Sequence, residues 1–405
     1  MERAAKNSRA RSRRFASNPN LLEEALLNEP LSRPGVRWIV LVFVYFVVAS
    51  ASYCGYFTKW QFRDELPEYA LPGMLDGTTD RPFVYRQLLP VIANGIERAL
   101  PDGIKSRVNT LLFDDNRFHH PIAWFYPNAT DARNPQYALR YYLIYGLSFT
   151  ALLLAMFALR AVCIDMQSNR IAATLAPMAF ALILPLILTN GAYFYDLPEL
   201  LFMALAVWFS LRGWVWWLVL LTLPATLNKE TFLVFVLTLY PFLRARLSTK
   251  TTLKVQFVLV AIAAAVNAAI KLKYAHNGGG VVQIHLMDNL HYMVLPSSYL
   301  RFEYNYGLLM TKGFNLINVF IVAVLVRTAW SKLSPALRQH LLIAVVINVP
   351  LLLAFGYHEE LRNLSMLNVG FVIILCVNIA AYLDRGYRAI PAGADSVGAR
   401  PTASS

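Results

Sequence analysis

Long apolar runs broken by short polar stretches repeat along this chain. Crossing a hydrocarbon core takes about 20 residues of α-helix, whereas the strands of a membrane barrel are about ten residues of alternating polarity. The runs do not alternate, and ten of them predict an all-α, polytopic membrane helical bundle of about ten transmembrane helices: 38–56, 141–164, 171–191, 197–211, 214–227, 231–243, 255–275, 314–329, 340–356 and 364–383. The three between 197 and 243 are short, and read either as three spans or as one pair with an excursion.

The stretches between the runs set the domain plan. Residues 1–37 form a basic tail, 38–383 the membrane domain, and 384–405 an Ala/Gly/Pro/Ser-rich tail expected to be disordered. Two inter-span segments are long, a first outer loop over 57–138 and a second over 277–309. Loops longer than a connection requires are functional candidates. Within the first, 86–100 places Leu88, Leu89, Ile92, Ile96 and Leu100 on one side and Gln87, Asn94, Glu97 and Arg98 on the other. That spacing predicts an amphipathic helix lying in the interface, its regular part beginning near Pro90.

Composition supports the membrane assignment: of 405 residues 57% are hydrophobic and 15% charged, with mean hydropathy +0.45. The net charge of +13 follows from topology. With the N-terminus cytoplasmic, the inside segments carry Arg160, Arg170, Arg212, Arg244, Arg246, Lys250, Lys254, Arg327, Lys332 and Arg338, and the acidic residues away from the termini collect outside. No nucleic-acid partner is needed to explain the excess. Cys54, Cys163 and Cys376 fall in apolar runs without metal-ligand spacing.

Charges in apolar surroundings mark the candidate chemistry. Lys229-Glu230 sits inside "LPATLNKETFLVF", where each charge would cost roughly 2.5 to 3.5 kcal/mol at the centre of a span. The threading places the pair at an outer turn, either a solvated hairpin or part of a polar site. Asp64-Glu65 follows the first span closely, where a carboxylate can take the proton of an attacking hydroxyl or simply solvate a loop end. Tyr85 and Arg86 stand before the interfacial helix, with Arg86 either gripping a phosphate or anchoring the helix. Asp196 opens a span two residues before Pro198 and fits a helix cap as well as a site residue. His358, Glu359, Glu360 and Arg362 form a dense cluster, read as a phosphate-binding arginine with an orienting glutamate or as a salt-bridged turn. His119, His120, His276, His285, His291 and His340 lack zinc spacing; a divalent cation held by carboxylates stays open. "HNGGG", 276–280, reads as a hinge and not a phosphate cradle.

Taken in order, "DELPEY", "RPFVYRQLLP", "YDLPELL", "LNKETFLV" and "EELRN" resemble bacterial integral-membrane glycosyltransferases of the GT-C superfamily, broadly the group related to protein mannosyltransferases and the aminoarabinose transferase of lipid A. The resemblance implies a polyprenyl-phosphate sugar donor, a lipid or glycan acceptor, an active site on the outer face of the bacterial cytoplasmic membrane, and an essential acid in the first outer loop. Carried over, it makes Asp64 the catalytic candidate with Glu65 second, and gives Arg86, Lys229 and Arg362 the donor phosphate. Tyr85, Asp196, Glu230, His358 and Glu360 complete the substrate-binding set. Asp80-Arg81-Pro82-Phe83 stands where that group usually has a Lys-Pro-Pro-like element. The alternatives are a transporter or flippase of lipid-linked sugars, which would want ionisable groups deep within spans, and a polysaccharide polymerase.

Overall fold

The computed structural model describes residues 34–113, 122–167, 169–280, 284–305 and 307–388. The expected disordered tails, the N-terminal arginines, His119 and His120 lie largely or wholly outside the described residues. The chain divides after Val48 into two units. The first contributes the leading part of helix α1 (Pro34–Trp60), where Ile39, Val40, Phe43 and Val47 are exposed apolar residues suited to lipid. The second, from Ala49 onward, carries everything that follows.

The second unit is predominantly helical, as the long apolar runs predict. Among the described residues six helices are long and apolar enough to cross a membrane: Gly35–Trp60, Ala138–Met166, Arg170–Ile187, Thr249–Lys273, Pro335–Phe355 and Leu361–Asp384. The protein is a multi-pass, membrane-embedded helical bundle. The remaining predicted runs also fall on helix but are shorter: 17 residues over Asp196–Arg212, 14 over Val215–Asn228 and 15 over Leu316–Trp330. Over 232–244 the run is broken into Phe232–Phe235, a 3-10 turn Val236–Leu239, and Tyr240–Arg244.

The long segment over 57–138 is not an unstructured excursion where it is described. After α1 come α2 (Leu71–Asp76), α3 (Leu88–Ala99), α4 (Asp102–Phe113) and α5 (Ile122–Phe125). Helix α3 begins at Leu88, which puts Pro90 in the first turn, where the missing N–H has no partner to lose. Its buried side is Leu88, Leu89 and Ala93, while Val91 and Ile96 are exposed, so the helix is rotated relative to the predicted face. Arg140, on α6 (Ala138–Met166), fixes it there: Nη1 donates to Asn94 at 2.9 Å and Nε lies 3.1 Å from Glu97.

α6 is the central element, packed along α7 (Arg170–Ile187), α8 (Asp196–Arg212) and α3. Buried Ala151, Ala155 and Ala158 on α6, with Ala172, Ala173 and Ala176 on α7, allow the close approach that drives helix association in lipid. α8 turns into α9 (Val215–Asn228) through Gly213, whose φ of +70° is the left-handed helix stop glycine favours. α10 (Phe232–Phe235) and α11 (Tyr240–Arg244) lead to α12 (Thr249–Lys273), capped by Ser248.

The long segment over 277–309 is structured too where it is described. It holds α13 (Leu286–Val294), a 3-10 turn (Pro296–Leu300) and a hairpin of β1 (Phe302–Asn305) and β2 (Leu308–Thr311), with Phe302 opposite Thr311. α14 (Leu316–Trp330), α15 (Pro335–Phe355) and α16 (Asn368–Arg388) follow. Asn289 of α13 donates to the carbonyls of Leu353 and Gly356, fastening this loop across the C-terminal end of α15. The predicted glycine hinge is docked as well. Asn277 donates to the carbonyls of Gly77 and Thr79, and at Gly279, φ +76°, a Cβ would fall 2.5 Å from the Arg81 carbonyl oxygen, so glycine is required there.

Candidate functional site

Most of the residues nominated from sequence fall either at an acid without an ion pair among the described residues or in a buried ionic cluster. Asp64 lies just beyond α1, where Gln61 and Arg63 take positive φ values of 51° and 58°. Left-handed backbone costs a residue with a Cβ roughly 1–2 kcal/mol. The Asp64 carboxylate accepts the backbone N–H of Leu71 at 3.0 Å on Oδ1 and the Tyr141 hydroxyl on Oδ2. Burial pushes this carboxyl up to about 6, while Tyr141 and Leu71 hold it down. Among the described residues no ion pair neutralises it. Glu65 is more exposed, its one ion pair a 3.9 Å approach to Arg63.

The cluster gathers six of the nominated residues. Lys229, 3% exposed, reaches Asp196 at 3.0 Å and Glu199 at 2.7 Å. Arg362 lies 3.6 Å from Asp196 and donates to Glu360 at 2.5 Å. Arg86 donates to Glu230 at 2.9 Å and to the Tyr195 hydroxyl at 3.2 Å. Burial pushes the Glu230 and Glu360 carboxyls up, but Arg86 and Arg362 outweigh it and hold both below the ordinary carboxylate value. Three cations thus meet four carboxylates. The Lys229-Glu230 turn is therefore an internal ion-pair junction and not a solvated hairpin. Asp196 is the first residue of α8 and reaches back to the N–H of Tyr193 at 2.9 Å, so it closes the preceding turn and does not cap the helix forward.

Two tyrosines run through the cluster. The rings of Tyr193 and Tyr195 stack 5.1 Å apart at 6°. Arg362 lies over the Tyr193 ring at 4.5 Å, and Arg86 over Tyr195 at 5.0 Å. Cation–π contact of this kind holds a guanidinium where hydration is reduced.

Two nominated residues fall elsewhere. Tyr85 packs in a small apolar cluster with Val84, Ile270 and Tyr274. His358 stacks on Tyr292 at 4.8 Å, beside a second ionic network of which the sequence pointed to Glu359 alone. There Glu359, 1% exposed with φ +62°, accepts from Tyr292 at 2.5 Å and pairs with Arg301 at 3.1 Å. Lys312 joins it to Glu303, which pairs with Lys59 at the end of α1 at 2.8 Å.

Glu199 is the main omission from the sequence-derived set. It accepts from Lys229, from Thr231 at 2.5 Å and from Ser365 at 2.9 Å, tying α8 to the segments before α10 and α16. The Asp196-x-x-Glu199 spacing, which puts two acids on one face of a first helical turn, was the available signal. Among the described residues no three His, Cys, Asp or Glu side chains converge to hold a metal ion. Comparison with protein-family models, curated proteins and solved structures finds no match.

Proposed function

We propose that the protein is an inverting glycosyltransferase that uses a polyprenyl-phosphate sugar on the outer face of a bacterial cytoplasmic membrane, threading the membrane ten times with both termini inside. The observation that carries the reading is Asp64: a carboxylate held by Tyr141 and Leu71, free of a neutralising cation, and raised to about 6. A base whose proton affinity lies near the operating pH is ionised at pH 7 yet still draws a proton effectively. In this scheme Asp64 takes the hydroxyl proton of a lipid or glycan acceptor as its oxygen attacks the anomeric carbon. The bond to the lipid phosphate breaks, and the phosphate leaves as an anion.

The cations Arg86, Lys229 and Arg362 are matched by carboxylates, so contact with a donor phosphate would require one of those acids to yield. Their evident task is to hold the Tyr193–Asp196 turn and the segment around Arg362 in place beside the acid-bearing loop.

A transporter of lipid-linked sugars would use polar groups within spans for cargo. Here those groups are committed to structure. Asn348 accepts the N–H of Met366 at 3.2 Å and donates to the Asn363 carbonyl, and Asn267 donates to Ala263 one turn back in its own helix at 3.2 Å. That favours the enzyme.

The test is incubation of purified protein with a panel of radiolabelled polyprenyl-phosphate sugars and membrane acceptors, beside Asp64→Asn. Transfer by wild type and its loss in Asp64→Asn at equal expression is the expected result. Transfer retained by the variant sinks the assignment of Asp64, and no product from any donor with wild type favours the transporter.

A further inference from the structure

The cation placed best to meet a ligand is one that neither the motifs nor the buried cluster nominates. Arg63 precedes Asp64 and holds a left-handed backbone, φ +58°, that arginine rarely adopts. Strain of this kind persists where surrounding structure over-determines it, and it gathers at functional sites. Here it sends adjacent side chains different ways, Asp64 to Tyr141 and Leu71 and Arg63 into an aromatic enclosure.

The Arg63 guanidinium lies 5.0 Å from the Tyr69 ring, 5.5 Å from Tyr193 and 5.7 Å from Trp60. Phe83 closes the group, 4.8 Å from Tyr69 and 5.7 Å from Tyr193. Nη2 donates to a neutral partner, the Tyr69 hydroxyl, at 2.9 Å. The carboxylate paired with it, Glu65, is 3.9 Å away and 42% exposed, too far for a hydrogen bond. Nη1 faces Gly191, φ +89°, where a Cβ would come within 3.1 Å of it. Arg86, Lys229 and Arg362, by contrast, each have a carboxylate within 3.0 Å. A half-buried guanidinium with donors to spare, backed by aromatic faces and approached by glycine backbone, suits a planar, bidentate grip on phosphate oxygens. Aromatic rings beside it offer apolar faces of the kind a sugar ring packs against.

We propose that Arg63 is the anion-contacting residue of the site, its guanidinium taking the phosphate oxygens of a phosphate-linked substrate between Trp60, Tyr69 and Tyr193. That the phosphate is carried on a polyprenyl lipid rests on the function proposed above; the anion site rests on the geometry alone. Arg63 and Asp64 are consecutive residues, so the proposed anion contact and the proposed base come from one loop, with their side chains engaged by different partners.

The full chain in phosphatidylcholine nanodiscs is titrated with polyprenyl monophosphate and, separately, with inorganic phosphate, and binding is read by thermophoresis. Arg63→Gly removes the guanidinium while suiting the left-handed backbone, and Arg63→Lys keeps charge without the bidentate fork. Polyprenyl monophosphate binding that weakens about tenfold or more in Arg63→Gly, and by less in Arg63→Lys, is the expected result. Equal affinity in wild type and Arg63→Gly overturns the assignment and leaves the lipid-phosphate reading standing. Arg63-dependent binding of inorganic phosphate without binding of the lipid upholds the anion site and removes the lipid donor. Binding of neither by wild type overturns the proposal. Should Arg63→Gly not assemble, Arg63→Gln takes its place, and unchanged affinity in it counts against the proposal equally.

Discussion

Replacing Lys229 by Met separates the energetic role of the buried cluster from any role in binding. The ammonium lies 3.0 Å from Asp196 and 2.7 Å from Glu199, and all three side chains are less than a tenth exposed. At an effective dielectric constant of about 20, each contact has a Coulomb attraction of about 6 kcal/mol, much of it offset by the cost of taking the charges out of water. Removing one partner of a buried pair leaves that desolvation uncompensated, at about 3–5 kcal/mol. Asp196 retains Arg362 at 3.6 Å and the Tyr193 amide, whereas Glu199 retains only hydroxyl donors, Thr231 and Ser365. The loss therefore falls mainly on Glu199, and the expected cost sits at the lower end, about 3 kcal/mol. The assay is equilibrium unfolding in mixed micelles by increasing fraction of denaturing detergent. Adding Glu199→Gln to Lys229→Met removes the stranded charge and should recover more than half of the loss. A single variant within about 1 kcal/mol of wild type, the figure for an exposed ion pair, or a double variant no better than the single, would refute the account.

Asp64 predicts a pH dependence. The acid limb of kcat/KM should lie near pH 6, and Tyr141→Phe, which removes a hydrogen bond favouring the ionised form, should move it to higher pH; a limb unmoved by Tyr141→Phe would separate the titration from Asp64. For stability the sign is opposite to that of a salt-bridged carboxylate: with the folded value above the unfolded 3.8, the contribution of Asp64 is fully present below about pH 3.8 and is lost as pH rises through about 6. Arg140→Ala removes the contacts of α6 to Asn94, Glu97 and Asp76 and should speed amide exchange over Leu88–Ala99 while leaving α7 protected; unchanged exchange would show that apolar packing alone holds α3. For the ten-span threading, single cysteines at two exposed positions decide sidedness: Glu68→Cys should react with an impermeant thiol reagent in intact cells and Lys250→Cys only after permeabilisation, and reaction of both from one side would break the threading.

Element type was legible because the apolar runs are long and the alternative, a barrel, demands a different period. All ten runs fall on helix, yet among the described residues six helices meet the length and hydropathy of a span, because composition marks apolar segments without saying that α8 stops at Gly213, that α9 stops at Asn228 or that a 3-10 turn at 236–239 breaks the run after it. The two long segments over 57–138 and 277–309 illustrate a different limit. Their secondary structure is fixed by long-range contacts, Arg140 to Glu97 and Asn289 to the end of α15, that no local window contains.

Burial is what local sequence conveyed least, and it changes the meaning of the site. Lys229, Arg86 and Arg362 stood out as cations in apolar surroundings, which is a sound reason to expect a function and an equally sound reason to expect carboxylate partners, since an unpaired buried charge is the costlier state. The structure supplies those partners from 30 and 33 residues away for Lys229 and 144 away for Arg86, and only Arg362 has one, Glu360, close by in the chain. Arg63 was inconspicuous for the converse reason. It sits in an ordinary polar stretch, "FRDELPEY", and only the fold surrounds it with Trp60, Tyr69 and, from beyond the next two spans, Tyr193. A cation already matched by an acid is poorly placed to seize an anion, because binding must first break a pair formed at no entropic cost to the ligand. The residue with donors left over is the one a phosphate meets first.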